Sequence, residues 1–240
     1  MAEPLLRVDG VVKRFGGFQA LSGVSLEVRE GERFGLIGPN GSGKTTLISC
    51  VSGTLRNEVG RIFFRGRDIT GMPAHQRTRA GIARTFQIPR PFGSMTVVEN
   101  LRLTLEYAAL DRAAPDAAAE AMGILRMVGL DAKASVVSSR LTQIEMRKLE
   151  LARAMAAKPA LLISDEAMAG LSSSEVDDLL TILFRLNEAG TTVIMIEHIM
   201  RAVMRFSERI AVLDAGEKIA EGTPATIISD KAVERAYLGE

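Results

Sequence analysis

Gly38-Pro-Asn-Gly-Ser-Gly-Lys-Thr45 is the stretch on which the reading of this 240-residue chain turns. It fits G-x-x-x-x-G-K-[ST] in full, with a strand-like run at 34–37 before it and a helical run at 46–51 after it. Glycines let the backbone wrap closely, so successive amide N–H groups point at phosphate oxygens and the helix N-terminus adds its dipole. Lys44 would neutralise the β- and γ-phosphates, and Thr45 would ligate Mg²⁺ through its hydroxyl. Gly38, Pro39, Asn40, Gly41, Ser42, Gly43, Lys44, Thr45 and Thr46 are therefore the candidate nucleotide-binding residues.

Outward from this loop the pattern is α/β. Upstream and just downstream, short β-like runs at 5–12, 24–28, 33–37 and 61–64 are separated by glycines, so the first 90 residues read mostly as strands and turns. Residues 97–160 read as helices. Thr96-Val-Val-Glu99 is a capping box opening a helix to about Leu110, and Pro115-Asp116 starts a second that ends near Gly129. Thr142-Gln-Ile-Glu145 is another capping box, for a helix to about Ala157. Strand and helix then alternate: strands at 160–164, 191–196 and 209–213, helices at 175–188 and 200–206, a last strand at 218–221 and a helical tail capped by Thr223-Pro224. Such alternation implies parallel strands with helical crossovers. The organisation is an α/β core interrupted by a helical insert near 90–150.

Ala160-Leu-Leu-Ile-Ser-Asp-Glu166 is an apolar strand ending in two carboxylates. After a phosphate-binding loop this pair has a defined meaning: Asp165 can hold Mg²⁺, directly or through water, while Glu166 can orient or deprotonate an attacking water.

Composition narrows the field. The length suits one large α/β domain or two small ones, and a 47% hydrophobic content is enough for a core without disulfides. The single cysteine, Cys50, has no internal partner, which fits a reducing compartment. Mean hydropathy is +0.14, yet no run approaches the roughly 18 apolar residues of a membrane helix, and Met1-Ala-Glu-Pro-Leu-Leu-Arg7 lacks a signal-peptide layout. A net charge of +1 argues against a dedicated nucleic-acid binder. That sum conceals seven arginines against Asp68 between Arg61 and Arg90, and six acids against Arg185 between Asp165 and Gly190. The plain reading is ordinary solvated faces; the sharper one is that the two stretches face different partners, with the arginine-rich one, Arg77 and Arg79 included, toward an anionic membrane surface.

With these motifs in this order, the chain resembles the ATP-binding subunit of an ABC transporter over essentially its whole length. The resemblance implies a RecA-like P-loop ABC ATPase core with an N-terminal antiparallel β subdomain and a helical insert. The whole chain would be one domain, divided into a β-rich P-loop lobe (1–90), a glutamine-loop and helical subdomain (90–158), the Asp165–Glu166 and switch region (159–222) and a C-terminal tail (223–240). Phe15, in Lys13-Arg-Phe-Gly-Gly17, matches the aromatic that stacks on adenine. Gln87, in Ala83-Arg-Thr-Phe-Gln87, matches the glutamine that reaches Mg²⁺ and the attacking water and senses the membrane subunit. His198, in Ile196-Glu-His198, matches the switch histidine at the γ-phosphate, whereas His75 falls in no motif. The catalytic candidates are thus Glu166, His198 and Gln87, and the metal candidates Thr45, Gln87 and Asp165.

Several idioms bring the chain nearer to the branched-chain amino-acid import ATPases: Gly66-Arg-Asp-Ile-Thr-Gly71, Gly81-Ile-Ala-Arg-Thr-Phe-Gln87 and the tail Ala236-Tyr-Leu-Gly-Glu240. This resemblance implies ATP and Mg²⁺ as cofactors and import of branched-chain or other hydrophobic amino acids. It also implies a second ATPase subunit, identical or not, two integral-membrane permeases, indirectly a periplasmic binding protein, and a peripheral place on the cytoplasmic face of the inner membrane. The alternative is a soluble or regulatory ABC-type ATPase with weak hydrolysis.

One segment departs from the family pattern. Where the L-S-G-G-Q signature would face the other subunit's nucleotide, this chain has Leu141, Thr142, Gln143, Ile144 and Glu145. Both glycines are gone, so close backbone approach to a phosphate should be hindered, and Glu145 adds negative charge. The helix N-terminus with Thr142 as N-cap remains. Ala167 and Ser172 depart nearby, where the family usually has Pro and often Asp. These changes fit an asymmetric heterodimer as well as a tolerated variant.

Overall fold

The computed structural model describes residues 3–108 and 116–238. In chain order the elements are β1 (Leu6–Phe15), β2 (Phe18–Val28), β3 (Arg33–Ile37), α1 (Lys44–Ser52), β4 (Val59–Phe64), β5 (Arg67–Asp68), α2 (Ala74–Ala80) and β6 (Ile82–Arg84). There follow α3 (Val97–Ala108), α4 (Ala117–Val128), α5 (Gln143–Ala156), β7 (Leu161–Asp165), α6 (Ser173–Glu188), β8 (Thr192–Ile196), α7 (Met200–Phe206), β9 (Arg209–Asp214), β10 (Glu217–Gly222), α8 (Pro224–Ile228) and α9 (Lys231–Leu238).

Two sheets carry the site. The first is antiparallel, in the order β2-β1-β4-β5. The second runs β10-β9-β3-β8-β7-β6 and is parallel from β9 to β6, with β10 antiparallel at one edge. Every residue of β7 and β8 is buried, which is why those strands read as continuous apolar runs: layers cover both faces. One hydrophobic cluster joins the β1–β2–β4 sheet and α1 to one face of the parallel sheet, through residues such as Leu6, Leu47, Ile62, Ile163 and Leu213. The other joins α3, α4, α5, α6 and α7 to the opposite face, through Leu101, Leu125, Leu149, Leu180 and Phe206.

The capping signals act as the sequence implies. Thr96 and Glu99 close a box at α3, with Glu99 Oε2 accepting from the Thr96 N–H at 2.7 Å. Glu145 Oε2 accepts from the Thr142 N–H at 2.9 Å at α5, and Asp116 accepts from the Ala119 N–H at 2.9 Å at α4. The expected end of the first helix at Leu110 and the expected start of the second at Pro115 lie outside the described residues, as do Gly239 and Glu240 of the tail.

Four features depart from the expectation. β2 begins at Phe18, not Val24, because the Gly16-Gly17 turn folds it straight back on β1 with Phe15 opposite Phe18. Gly23 and register shifts in this pair interrupt the alternation that would have shown it. α2 and β6 had no periodic signal. β6 is only three residues long, and the buried face of α2 is supplied by an arginine. The helical tail is two helices, because Asp230 accepts from the Ala232 N–H at 2.7 Å and starts α9 afresh.

Arg77 corrects the reading of the arginine-rich stretch. It is 2% exposed and cannot face a membrane or a partner. Its guanidinium donates to the carbonyls of Cys50 (2.6 Å), Val51 (2.8 Å), Met72 (2.8 Å) and Thr70 (3.0 Å). Two of these carbonyls lie in the last turn of α1, so Arg77 caps that helix with a charge of the favourable sign. The acidic stretch is likewise paired within the chain: Asp177 meets Arg201 and Arg205, and Asp178 meets Lys148.

Candidate active site

The carboxyl ends of four neighbouring strands deliver the candidate residues to one place. In the order β3-β8-β7-β6 they lead into the loop 38–45, Glu197–His198, Asp165–Glu166 and Thr85–Gln87. Ligand sites of open parallel sheets lie at this end of the strands.

The phosphate-binding loop is shaped by glycines at close approaches. Gly38 has φ 150°, and a Cβ there would sit 2.0 Å from the Leu213 carbonyl oxygen of β9. Gly43 has φ 102°, and its Cβ would lie 2.7 Å from the Ala20 carbonyl oxygen of β2. The loop is thus pressed between the β1–β2 hairpin and the β9–β10 turn, whose Gly216 N–H donates to Ser42 O at 3.1 Å. Lys44 closes it: its ammonium donates to the carbonyls of Gly38 (2.8 Å) and Pro39 (2.9 Å) and is 5% exposed. Burial pushes the Lys44 pKa down, while the carboxylates of Glu166 and Asp165 push it back up. Thr45, in the first turn of α1, is exposed on the open side.

Glu166 is engaged on both oxygens. Gln87 Nε2 donates to its Oε2 at 2.5 Å, and His198 Nε2 lies 2.8 Å from its Oε1. With the carboxylate ionised, the imidazole is the donor. The Glu166 N–H donates to Ile196 O at 2.9 Å, and the residue has φ 47°, a left-handed backbone uncommon outside glycine. The three residues named as catalytic candidates therefore form one hydrogen-bonded cluster. Phe15 stands at the end of the β1–β2 hairpin, 48% exposed, with the Lys13 ammonium 5.3 Å from its ring centre.

The donor set fits a nucleotide with a divalent cation. A glycine-shaped loop that a Cβ would fill, a buried ammonium, an exposed threonine hydroxyl and a buried aspartate converge here.

Sequence reasoning passed over three residues. Glu197, beside His198, is buried and accepts from the Met168 N–H at 2.8 Å, which anchors the segment just after Glu166. Burial, first, and the neighbouring Glu166 raise its pKa from 4.5 to about 7. Arg147 of α5 donates to the Gln87 carbonyl and, at 3.4 Å, to the Ala169 carbonyl, so one side chain joins the loops after β6 and β7. Arg84, in the quoted stretch Gly81–Gln87, pairs with Asp165 at 2.6 Å. The strand β6 that aims it was the missing signal.

The altered segment Leu141–Glu145 begins α5. Ile144 is half-buried and packs on the helical core, with Leu141 beside it. Gln143 is exposed and donates to Ala169 O at 3.4 Å. Glu145 pairs with Lys133 at 2.5 Å, and this contact with the Thr142 N–H holds its pKa below the usual range. The negative charge that the sequence places at this helix start is thus offset by a lysine.

Comparison with known proteins agrees with this geometry. Residues 21–169 match the family described as ABC transporter, and residues 217–240 match the one described as branched-chain amino acid ATP-binding cassette transporter. The chain is 41% identical over 254 aligned positions to the high-affinity branched-chain amino acid transport ATP-binding protein LivG of Salmonella typhimurium, with 100% of each covered. It is 39% identical, with 100% of each covered, to the corresponding protein BraF of Pseudomonas aeruginosa. Among solved structures, an ATP-binding cassette of an ABC transporter in its ADP conformation superposes with a TM-score of 0.88 at 31% identity, 100% of each chain being covered.

Proposed function

The chain belongs to the ABC transporter family as an ATP-binding subunit and ATPase, and from that premise we propose that it powers an importer for branched-chain or other hydrophobic amino acids. The substrate class rests on the names of the full-length relatives and on the C-terminal match. The chemistry rests on one observation: the phosphate loop, Asp165–Glu166, Gln87 and His198 meet at the ends of four adjacent strands.

The residues divide the work by position. Phe15 stacks on adenine, and the backbone of 38–46 with Lys44 holds the phosphates. Thr45 and Asp165, with Gln87, would hold Mg²⁺, which supplies charge neutralisation at the β- and γ-phosphates. Glu166 polarises the attacking water for in-line displacement. In the arrangement described above both of its oxygens are hydrogen-bonded within the protein, so the base is held in reserve. With nucleotide bound, His198 would turn to the γ-phosphate and Gln87 would help hold Mg²⁺, which would leave both Glu166 oxygens free to accept from water. Glu197 and Arg147 keep the loops on either side of Glu166 in register.

The chain acts as one domain over 1–240, its lobes divided near 90, 158 and 222. It works beside a second ATPase subunit, identical or not, and two integral-membrane permeases fed by a periplasmic binding protein. None of the described helices is long and apolar enough to cross a membrane. Attachment to the cytoplasmic face of the inner membrane therefore runs through the permeases. A groove of about 730 Å³ between the P-loop lobe and the helical insert, lined by His75, Arg79, Phe86, Phe92, Tyr107 and Arg153 among others, would receive a permease segment. His75 and Arg79 thus gain a position, though neither belongs to a catalytic motif.

The test is reconstitution of the chain with its cognate permeases, second subunit and binding protein in vesicles. ATP-dependent uptake of leucine, isoleucine or valine, with ATPase stimulated by the loaded binding protein, supports the reading. Assembly with ATPase indifferent to every hydrophobic amino acid overturns the substrate class, and failure to co-purify with the permeases overturns the transporter role.

A further inference from the structure

Arg84 joins two places that the proposed function treats separately, the metal-holding residues and the groove. It ends the edge strand β6, and its side chain crosses to the neighbouring strand and to α1. Nη2 donates to Asp165 Oδ2 at 2.6 Å, with the two side chains only 10% and 5% exposed. Nη1 donates to Ser49 Oγ at 3.1 Å, and Ser49 Oγ donates in turn to Thr45 O at 2.6 Å. One planar fork therefore spans the two elements that carry Asp165 and Thr45, β7 through Asp165 and α1 through Ser49. A lysine ammonium presents no such fork.

The other side of Arg84 faces the groove. Arg84 and Phe86 both line it, with the guanidinium carbon 5.6 Å from the Phe86 ring centre. Its Nε is buried and has no hydrogen-bond partner among the described residues. Phe86 itself is 40% exposed. Whatever fills the groove meets the side chain that holds Asp165.

We propose that Arg84 is a positioning residue that competes with the metal for Asp165 and relays occupancy of the groove to it. With the groove open, the guanidinium occupies an Asp165 oxygen and places a positive charge beside the cation site, so divalent metal is held less tightly. A permease segment that packs against Phe86 and draws Arg84 toward the groove hands the carboxylate to the metal. Metal affinity and partner docking are thereby linked, and the linkage is reciprocal. The groove half of this inference rests on the permease assignment above; the metal half does not.

The experiment titrates Mn²⁺ into the protein with a non-hydrolysable ATP analogue and reads bound metal by electron paramagnetic resonance. It is run on the isolated chain and on the complete transporter, for wild type, Arg84→Met, Arg84→Lys and Phe86→Ala. Removing a buried positive charge beside a cation site should tighten Mn²⁺ by about tenfold or more in isolated Arg84→Met. Arg84→Lys should fall between, since it keeps the charge and loses the fork. Wild type should gain metal affinity on assembly; Arg84→Met should not.

Unchanged or weakened metal affinity in folded Arg84→Met overturns the competition. If that variant fails to fold, Phe86→Ala decides. The exposed ring can be removed with the ion pair intact, and an assembly-induced gain equal to wild type overturns the relay. Should wild type not assemble at all, the transporter reading fails, and the isolated-chain titration still judges Arg84 and Asp165.

Discussion

At the scale of single residues, the site is built around one carboxylate in an unusual backbone. A non-glycine residue in the left-handed region costs on the order of 1 kcal/mol, and Glu166 is held there by its N–H bond to Ile196 O. The turn lifts its carboxylate out of the line of β7 to where Gln87 and His198 reach both oxygens. Glu166→Gln keeps the shape and removes the proposed base. It should bind ATP within a few-fold of wild type in an equilibrium assay while single-turnover hydrolysis slows by about a hundredfold or more. Near-normal turnover would remove Glu166 from the role of base. Glu197 supplies a second residue-scale expectation. Its carboxyl is raised to about 7 by burial and by Glu166, against the N–H groups of Met168 and His198 and the Arg147 charge. In the unfolded chain the same group ionises near 4.5, so between that pH and about 7 the folded protein keeps a proton the unfolded chain has lost. Stability therefore falls as pH rises through this window, by roughly 3 kcal/mol in all. Glu197→Gln retains an acceptor for the Met168 N–H, and denaturant midpoints measured between pH 5 and 7 should show a flatter pH slope. A slope identical to wild type would exclude Glu197 as its source.

At the scale of elements, what could be read in advance depended on whether an element is apolar by repetition or polar by function. The loop 38–45, the capping boxes of α3 and α5 and the apolar runs of β7 and β8 each carry a local signal, so the α/β core, the helical insert and most of the candidate cluster were legible. α2 was not, because Arg77 fills the buried place where a helix pattern would show leucine. β6 was not, because three residues give no period; its loss hid Arg84 and left Gln87 to be placed by resemblance alone. The same reason misassigned Arg77 to the surface: an arginine-rich count carries no information on which guanidinium is inside. Four carbonyls converge on Arg77, and its removal takes a donor from each, leaving the Gly53 N–H as the cap on Cys50 O. Arg77→Met, similar in volume, should cost about 3 kcal/mol or more in chemical unfolding, whereas Arg79→Met at the groove should cost under about 0.5. Equal small losses would mean that the α1 carbonyls find other donors.

At the scale of the whole molecule, this chain carries a full G-x-x-x-x-G-K-[ST] loop and an altered segment at the start of α5. Under the proposed pairing with a second ATPase subunit, each P-loop would face the signature helix of the other, so the two edges of one chain would serve different nucleotides. The structure separates two objections to the edge at Leu141–Glu145. The charge objection weakens, because Lys133 lies 2.5 Å from Glu145. The backbone objection stands. Neither position 143 nor 144 is glycine, the Ile144 side chain is committed to the helical core, and Gln143 is turned to the chain's own Ala169. A phosphate at that helix start would meet the dipole and the first-turn amides without the close approach two glycines allow. Paired with a subunit whose signature is regular, this chain's P-loop would then hydrolyse ATP efficiently and the opposite P-loop would do so poorly. In such a heterodimer Lys44→Ala should lower steady-state ATPase by about tenfold or more, since the charge at the transferred phosphoryl is lost at the active site. Alanine at the second subunit's P-loop lysine should leave most of the rate. Equal losses from the two substitutions would show that Thr142 and the helix N-terminus suffice without glycine, and the two sites would have to be counted as equivalent.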